Sequence, residues 1–460
     1  MKFHLLRLLS SAVAILFCSL SMVGLFSQPG SVFAATPESA ALFQNVRVFD
    51  GKSGTVSAPV NVLVKGNIIA RISTSPITPD SNLSVTVIEG NGRVLMPGLI
   101  DMHWHAMMST IPMQLALTAD VGYLNFIAGR AAGDTLLRGF TSIRDLAGPT
   151  FGLKRAIDEG VIVGPRIFPS GASISQTAGH GDFRFPYEVP RTIGGPFTHT
   201  EQIGVTAIAD SPDEVRLRVR EQLMLGASQI KIMAGGGVAS PYGPLDATQY
   251  TEAEIRSAVE AAENWNTYVT AHAYTPRAIR IAVAAGVKCI EHGQLIDEPT
   301  AKLLAEKGIW WSLQPFLDDE DANPLTTPLM KERGMQVFAG TDNAYKLAKK
   351  YKIKTAWGSD ILFDARLATR QGAILAKLTR WYTPSEVLKM GTADNAELLA
   401  LSGPRNPYPG KLGVVEEGAL ADLLLVDGNP VENIKLIEDP ARNFLVIMKD
   451  GKIFKNTVPK

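Results

Sequence analysis

Residues 268–293 read YVTAHAYTPRAIRIAVAAGVKCIEHG. An apolar run of strand length, YVTAHA (268–273), leads into TPRAIRIAVAAG (275–286), where apolar residues recur at helical spacing. A second apolar run, KCIEHG (288–293), follows. Strand, helix and strand in such quick succession form a βα repeat, the unit of a parallel sheet. Each of the two strands carries a histidine near its end, His272 and His292. Consecutive parallel strands present their C-terminal ends on one rim, so these histidines are expected to be neighbours.

The same pattern extends in both directions. Strand-like runs occur at LIDMHWH (99–105), TSIRDL (141–146), RIFPSG (166–171), SQIKIMA (228–234), WWSLQP (310–315) and KTAWGSD (354–360). Amphipathic stretches such as SPDEVRLRVREQLMLGA (211–227) lie between them. With the two runs above, eight strands alternate with helices. The expected fold class is therefore α/β, a (β/α)8 TIM barrel whose active site lies at the C-terminal strand ends. Outside the barrel the pattern changes. FQNVRVFDG, VNVLVKGNIIARI and VTVIEGNGRVLM near the start, and ADLLLVDGNP and NFLVIMKDGKIFKN near the end, alternate with turn residues. Neither group has enough strands to be stable alone, so they are expected to join as one small β-sandwich domain. The expected organisation is a signal peptide at 1–34, sandwich segments at 35–96 and 406–460, and the barrel at 97–405.

The first residues look like a targeting segment. Lys2 and Arg7 precede an apolar and small-residue run over 8–26, and Val32-Phe33-Ala34 offers a peptidase-like cleavage site. Retention as a membrane anchor is the alternative. Lipidation of Cys18 is disfavoured by the bulk of Phe17 before it. The expected destination is export, to the periplasm if the source is Gram-negative, with no membrane contact after signal removal. The chain carries 45 basic and 45 acidic residues, so it has no basic footprint for nucleic acid. Cleavage would leave Cys289 alone, which excludes a disulfide within the mature chain. Cys289 is expected to be a small buried hydrophobe.

His103 and His105 stand two apart at the end of the first strand and so face the same way, with Trp104 packing outward. Two imidazoles suit zinc or a similar borderline metal, although a bare HxH also fits two surface histidines. Asp101 is available as a supporting carboxylate. His272 and His292 could likewise be core or capping histidines if each stood alone. Asp360 ends the last strand and could bind metal and carry a proton. Asp342, in a similar Gly-Thr-Asp setting, is expected to be a helix N-cap instead. Lys231 stands amid apolar strand residues. It must reach solvent, pair, or carry a modification such as a CO2-derived carbamate. Arg144-Asp145 is expected to be a structural ion pair near the barrel mouth, and His199 to sit incidentally in a flexible loop.

Taken in order, PGLIDMHWH, GFTSIRDLAG, SQTAGHGD, GASQIKIMAGGGVAS, TAHAYTPRAIRIAVAAGVKCIEHG, WGSD and GALADLLLVDGNP resemble the metal-dependent amidohydrolase superfamily. The branch is the one with imidazolonepropionase-like proteins, prolidase-like dipeptidases and ochratoxinase. AGGGV and GSD depart from the serine-led glycine run and GTD more usual there, without removing a ligand. The resemblance implies a binuclear site holding two divalent ions, with zinc expected. His103, His105 and Asp360 would hold one ion, His272 and His292 the other, with a carbamate on Lys231 bridging them. Asp360 would also be the catalytic base for a metal-activated hydroxide. His180 and Tyr274 are the candidate substrate-binding residues.

The implied activity is hydrolysis of an amide bond in a dipeptide or N-acyl amino acid, an ochratoxin-like amide included. Cleavage of a cyclic amide or an ester at the same site remains open. So does a non-catalytic exported binding barrel, which the complete set of ligands and base disfavours. The partner is a small molecule, and assembly into a homo-oligomer is left open.

Overall fold

The computed structural model describes residues 39–189 and 196–459, so the expected signal segment lies outside the described residues. The N-terminal part forms β1 (Ser39–Val48), β2 (Val60–Lys65), β3 (Ile68–Ser73), β4 (Ser84–Glu89) and β5 (Val94–Pro97). β1 pairs antiparallel with β2 and parallel with both β4 and β5.

Ten parallel strands follow: β6 (Leu99–Trp104), β7 (Phe140–Asp145), β8 (Arg166–Pro169), β9 (Ser173–Ser175), β10 (Thr206–Ile208), β11 (Ile230–Met233), β12 (Val269–Ala273), β13 (Cys289–His292), β14 (Trp310–Leu313) and β15 (Thr355–Trp357). They lie in a three-stranded ladder, β6-β7-β8, and a seven-stranded ladder, β10-β9-β11-β12-β13-β14-β15. Eight of them fall on the expected runs. The short β9 and β10 are additional, too brief to show a period in the sequence.

The ladders meet at two seams. At one, the Ser228 N–H donates to the Pro169 carbonyl at 2.8 Å and Gln229 Nε2 donates to the Phe168 carbonyl at 2.9 Å. At the other, the Asp360 N–H donates to the His103 carbonyl at 2.8 Å. Asn395 Nδ2 also bridges the Ile100 and Trp357 carbonyls at 2.7 and 2.9 Å. The second seam brings the ends of β6 and β15 together, which is where the candidate ligands stand.

The C-terminal part adds β16 (Leu423–Val426), β17 (Phe444–Lys449) and β18 (Lys452–Asn456). β16 pairs antiparallel with β5, so the two ends of the chain share one strand order, β18-β17-β16-β5-β1-β2-β3. The reading LLLV reflects burial on both faces. Leu423 and Leu425 enter one apolar core with Phe43 and Val62, while Leu424 and Val426 enter the core beneath the parallel strands. Alternation of side chains along a strand makes that division unavoidable. The buried Arg166 reinforces it by donating to Asp422 and Asp450.

Two expectations need correction here. Asp342 is not an N-cap. It lies well inside the helix Pro328–Lys350, whose N-cap is Thr327, and it pairs with Arg380 at 2.7 Å. The helix begins at the Pro-Leu-Met segment upstream, and Gly340 is carried within it. His199 opens the short helix His199–Gln202 rather than sitting in a loop. Among the described residues, no helix is long and apolar enough to cross a membrane.

Candidate active site

The residues singled out in the sequence gather at one end of the parallel strands. His103, His105, His180, Lys231, His272, Tyr274, His292 and Asp360 all line one pocket. Among the described residues, His103, His292 and Asp360 each offer a ligand atom within 4.8 Å of the others. His105 Nε2 lies 3.1 Å from Asp360 Oδ1, and His103 Nε2 lies 3.4 Å from the same oxygen. Lys231 Nζ is 3.4 Å from His103 Nε2. The His292 ring stands between the two groups, 4.8 Å from His103 and 4.5 Å from His272 by centroids.

Outer partners decide which way three of these rings present a lone pair. Glu291 Oε2 lies 2.9 Å from His103 Nδ1, and a carboxylate can only accept, so Nδ1 carries the proton. His103 Nε2 is then the free base facing Lys231 and Asp360. Gln314 Oε1 does the same for His292 Nδ1 at 2.8 Å. The Gly236 carbonyl takes the His272 Nε2 proton at 3.0 Å and leaves Nδ1 as the base. Burial, helped for His103 by Lys231, for His272 by His180 and for His292 by His103, keeps all three imidazoles neutral. A neutral, oriented imidazole with a hydrogen-bonded outer nitrogen is the form that binds a metal.

Lys231 is buried at the centre of this group. Burial pushes its amine down to about 8 against the opposing pull of Glu291 and Asp360. The close fit of the cluster requires Gly358, because a Cβ there would stand 2.4 Å from the His103 backbone nitrogen. Ser359, the unusual member of GSD, donates its hydroxyl to Asp101 at 2.6 Å. Asp101 also accepts from the backbone N–H of His103 and Ser359, which ties β6 to the segment bearing Asp360. Asp360 itself has φ +50. That left-handed backbone is uncommon outside glycine and turns its carboxylate back toward the histidines.

His180 stacks on His272 at 4.2 Å, and burial, with Lys231 second, pushes it down to about 3. Its Nδ1 has no partner among the described residues. A Cβ at Gly237 would meet the His180 ring at 2.2 Å, so the glycine run after Lys231 makes room for it. Tyr274 lies just past β12, stacks on His292 at 5.0 Å and keeps its phenolic proton through burial.

Arg144 and Asp145 do not pair with each other. Adjacent strand residues point to opposite faces. Arg144 donates to Glu291, Tyr268 Oη and the Met102 carbonyl beneath the site. Asp145 instead accepts from the Ala106 N–H at 2.7 Å. Cys289 is buried as expected, yet its thiol lies 3.4 Å from Glu291 Oε1 rather than among hydrocarbons alone. Burial would raise Glu291, but Arg144, then Lys231 and a bond from Thr270, outweigh it and hold the carboxyl low.

Glu291, Gln314 and Asn323 were not anticipated. The first two carried a signal, since each is a polar residue within an apolar strand run and must find a partner when buried. Asn323 carried none. Its side chain donates to the Asp360 carbonyl at 2.7 Å and accepts from the Leu362 N–H at 3.1 Å, across a long irregular stretch.

Comparison with known proteins identifies the family. The Amidohydrolase family model matches residues 94–454. Over 421 residues the chain is 33% identical to ochratoxinase from Aspergillus niger, an alignment covering 86% of this chain and 82% of that protein. A solved prolidase complexed with N-methylphosphonate-L-proline is 33% identical, with a TM-score of 0.82, covering 91% of this chain and 100% of the other. A solved Xaa-Pro dipeptidase with methionine bound in its active site is 27% identical, with a TM-score of 0.78 and coverage of 91% and 100%. With most of its length matched in sequence and in fold, the chain belongs to the amidohydrolase family.

Proposed function

We propose that this chain, a hydrolase acting on amide bonds, cleaves a dipeptide or an N-acyl amino acid at a two-metal centre. The observation that carries this reading is the arrangement of lone pairs. Glu291, Gly236 and Gln314 each engage one ring nitrogen of His103, His272 and His292, His103 Nε2 lies 3.4 Å from both Lys231 Nζ and Asp360 Oδ1, and all three rings line the pocket that Lys231 and Asp360 share. A donor set of neutral imidazoles and carboxylate fits two divalent ions of zinc type. His103, His105 and Asp360 would hold one ion, and His272 and His292 the other. The Lys231 nitrogen would bond to the carbon of CO2 and lose a proton, and the resulting carbamate would be a further anionic ligand for the ions. When bound, such ions supply an acidified water and polarise the scissile carbonyl.

The remaining work falls to the chain itself. Asp360 takes a proton as attack proceeds and returns it to the departing amine. Its backbone is fixed for both tasks, the N–H donating to the His103 carbonyl and the carbonyl accepting from Asn323 Nδ2. His180, neutral and with a nitrogen to spare, and the protonated hydroxyl of Tyr274 contact the substrate carbonyl or carboxylate. In this reading the two parallel ladders act as one closed (β/α)8 barrel and the terminal strands as a β-sandwich. Export after cleavage behind Ala34 completes the proposal, and N-terminal sequencing of the secreted protein tests it.

Two measurements test the central claim. Metal analysis of carefully loaded protein is expected to give about two ions per chain. A panel of dipeptides and N-acyl amino acids is expected to yield turnover. Metal content near zero would sink the metal centre, and an inert panel would sink the substrate class.

A further inference from the structure

A pocket opens toward solvent above the cluster. After β14 the chain runs irregularly to residue 327 and then enters the helix Pro328–Lys350. Met330, Gly334, Val337 and Phe338 from that helix line the pocket, a spacing that puts them on one helical face. The helix therefore works in two halves. Its C-terminal half sends Ala344, Tyr345 and Ala348 into the main core, while its first turns turn apolar side chains toward the cavity. Leu325 extends this wall, and Met108 and Phe363 also line the pocket.

The wall is a built surface. Asn323 clasps it to the Asp360 segment. Behind it, Asp321 is neutralised by Arg370 and Lys377. The buried Arg333, one residue before Gly334, donates to the Gly237 and Ser240 carbonyls at 3.3 and 2.9 Å. Among the described residues lining the pocket, every ionisable side chain belongs to the cluster on the floor. A charged substituent lodged against the wall would lose water and gain no counter-charge. An apolar one would gain the transfer free energy of each buried carbon.

We infer that the wall formed by Leu325, Met330, Val337 and Phe338 selects amides carrying a large apolar group, aromatic or branched aliphatic, on one flank of the scissile bond. This rests on the amide-hydrolase reading above and narrows its substrate class. The test measures binding apart from turnover. Metal-loaded Asp360→Asn protein is titrated by calorimetry with N-acyl amino acids that share one amino acid and differ in acyl group. Naphthoyl and benzoyl compounds are compared with succinyl and aminohexanoyl ones. The apolar pair is expected to bind about 10- to 100-fold more tightly, and Phe338→Glu in the same background is expected to erase most of that ratio. A second series varies the amino acid, so that either flank can reveal the preference. kcat/KM of the parent chain over the same panels gives an independent reading should the Asp360 variant fold poorly. Equal affinity for charged and apolar compounds in both series would overturn the inference while leaving amide hydrolysis by the parent chain intact. Graded binding without any turnover by the parent chain would uphold the wall and sink the hydrolytic reading.

Discussion

His272 and His292 reach the pocket floor from adjacent strand ends, β12 and β13, whereas Leu325, Met330 and Phe338 reach its wall from an irregular crossover and one face of a helix. On the floor, position follows from ladder register. Ala273 pairs with His292, and His272 with Glu291, so the side-chain directions are set before any ligand arrives. Polar contacts there are directional, and most outer atoms have a named partner. The wall relies on apolar contact, which is non-directional and scales with area. The two regions should therefore fail differently. A floor substitution should disturb proton placement or metal affinity at once. A wall substitution should change which substrates bind and leave the chemistry alone.

The largest effect is expected at Asp360. Asp360→Asn keeps the shape of the side chain but cannot accept a proton, and turnover should fall by about 10²- to 10⁴-fold. Metal content, read by elemental analysis, should stay mostly intact. Full activity in that variant would remove Asp360 from its role as base and blur the contrast between floor and wall. Glu291→Gln comes next. It leaves a hydrogen-bonding group beside His103 Nδ1 but removes the charge that Arg144 also uses. Competition with a chromophoric chelator should show metal affinity lowered by about 10- to 100-fold. The ratio of apolar to charged ligand binding should not move. Were that ratio to change as much as the metal affinity, floor and wall would not be separable.

Asn323 joins the two regions, so it probes the boundary between them. Asn323→Ala removes both side-chain bonds that Asn323 makes to the Asp360 segment, and kcat should drop about tenfold for all amides alike. An effect confined to KM of the bulkiest substrates would reassign Asn323 to the wall. The smallest effect is expected at Asp342. It pairs on the exposed side of its helix with Arg380, far from the floor cluster in its contacts, and Asp342→Asn should leave kcat and metal content unchanged. A loss of activity comparable with that of Asp360→Asn would overturn the assignment of the two aspartates.

Much of the floor was legible in the sequence because strands announce themselves. VTAHA and CIEHG are short apolar runs ending in residues that cost energy to bury, and the period of two says which neighbours share a face. The pairing of Arg144 was misjudged for the same local reason: sequence adjacency suggested Asp145, while the strand turned Arg144 toward Glu291. Asp342 was wrongly placed as a cap, since a helix that begins fifteen or so residues earlier leaves little trace at its middle. The short strands β9 and β10 and the role of Asn323 had no local signature.

By itself, then, the sequence determined the alternation of strands and helices, the residue types standing at the strand ends, and hence the kind of chemistry the rim could support. Periodicity and the cost of burying polar groups are local properties, and a linear text carries them. Only the tertiary structure decided that Glu291 and Gln314 orient His103 and His292, that the two ends of the chain share one sheet through β5 and β16, and that half of a long helix faces a cavity instead of the core. Those outcomes depend on contacts between residues tens to hundreds of positions apart, whose partners no local pattern specifies.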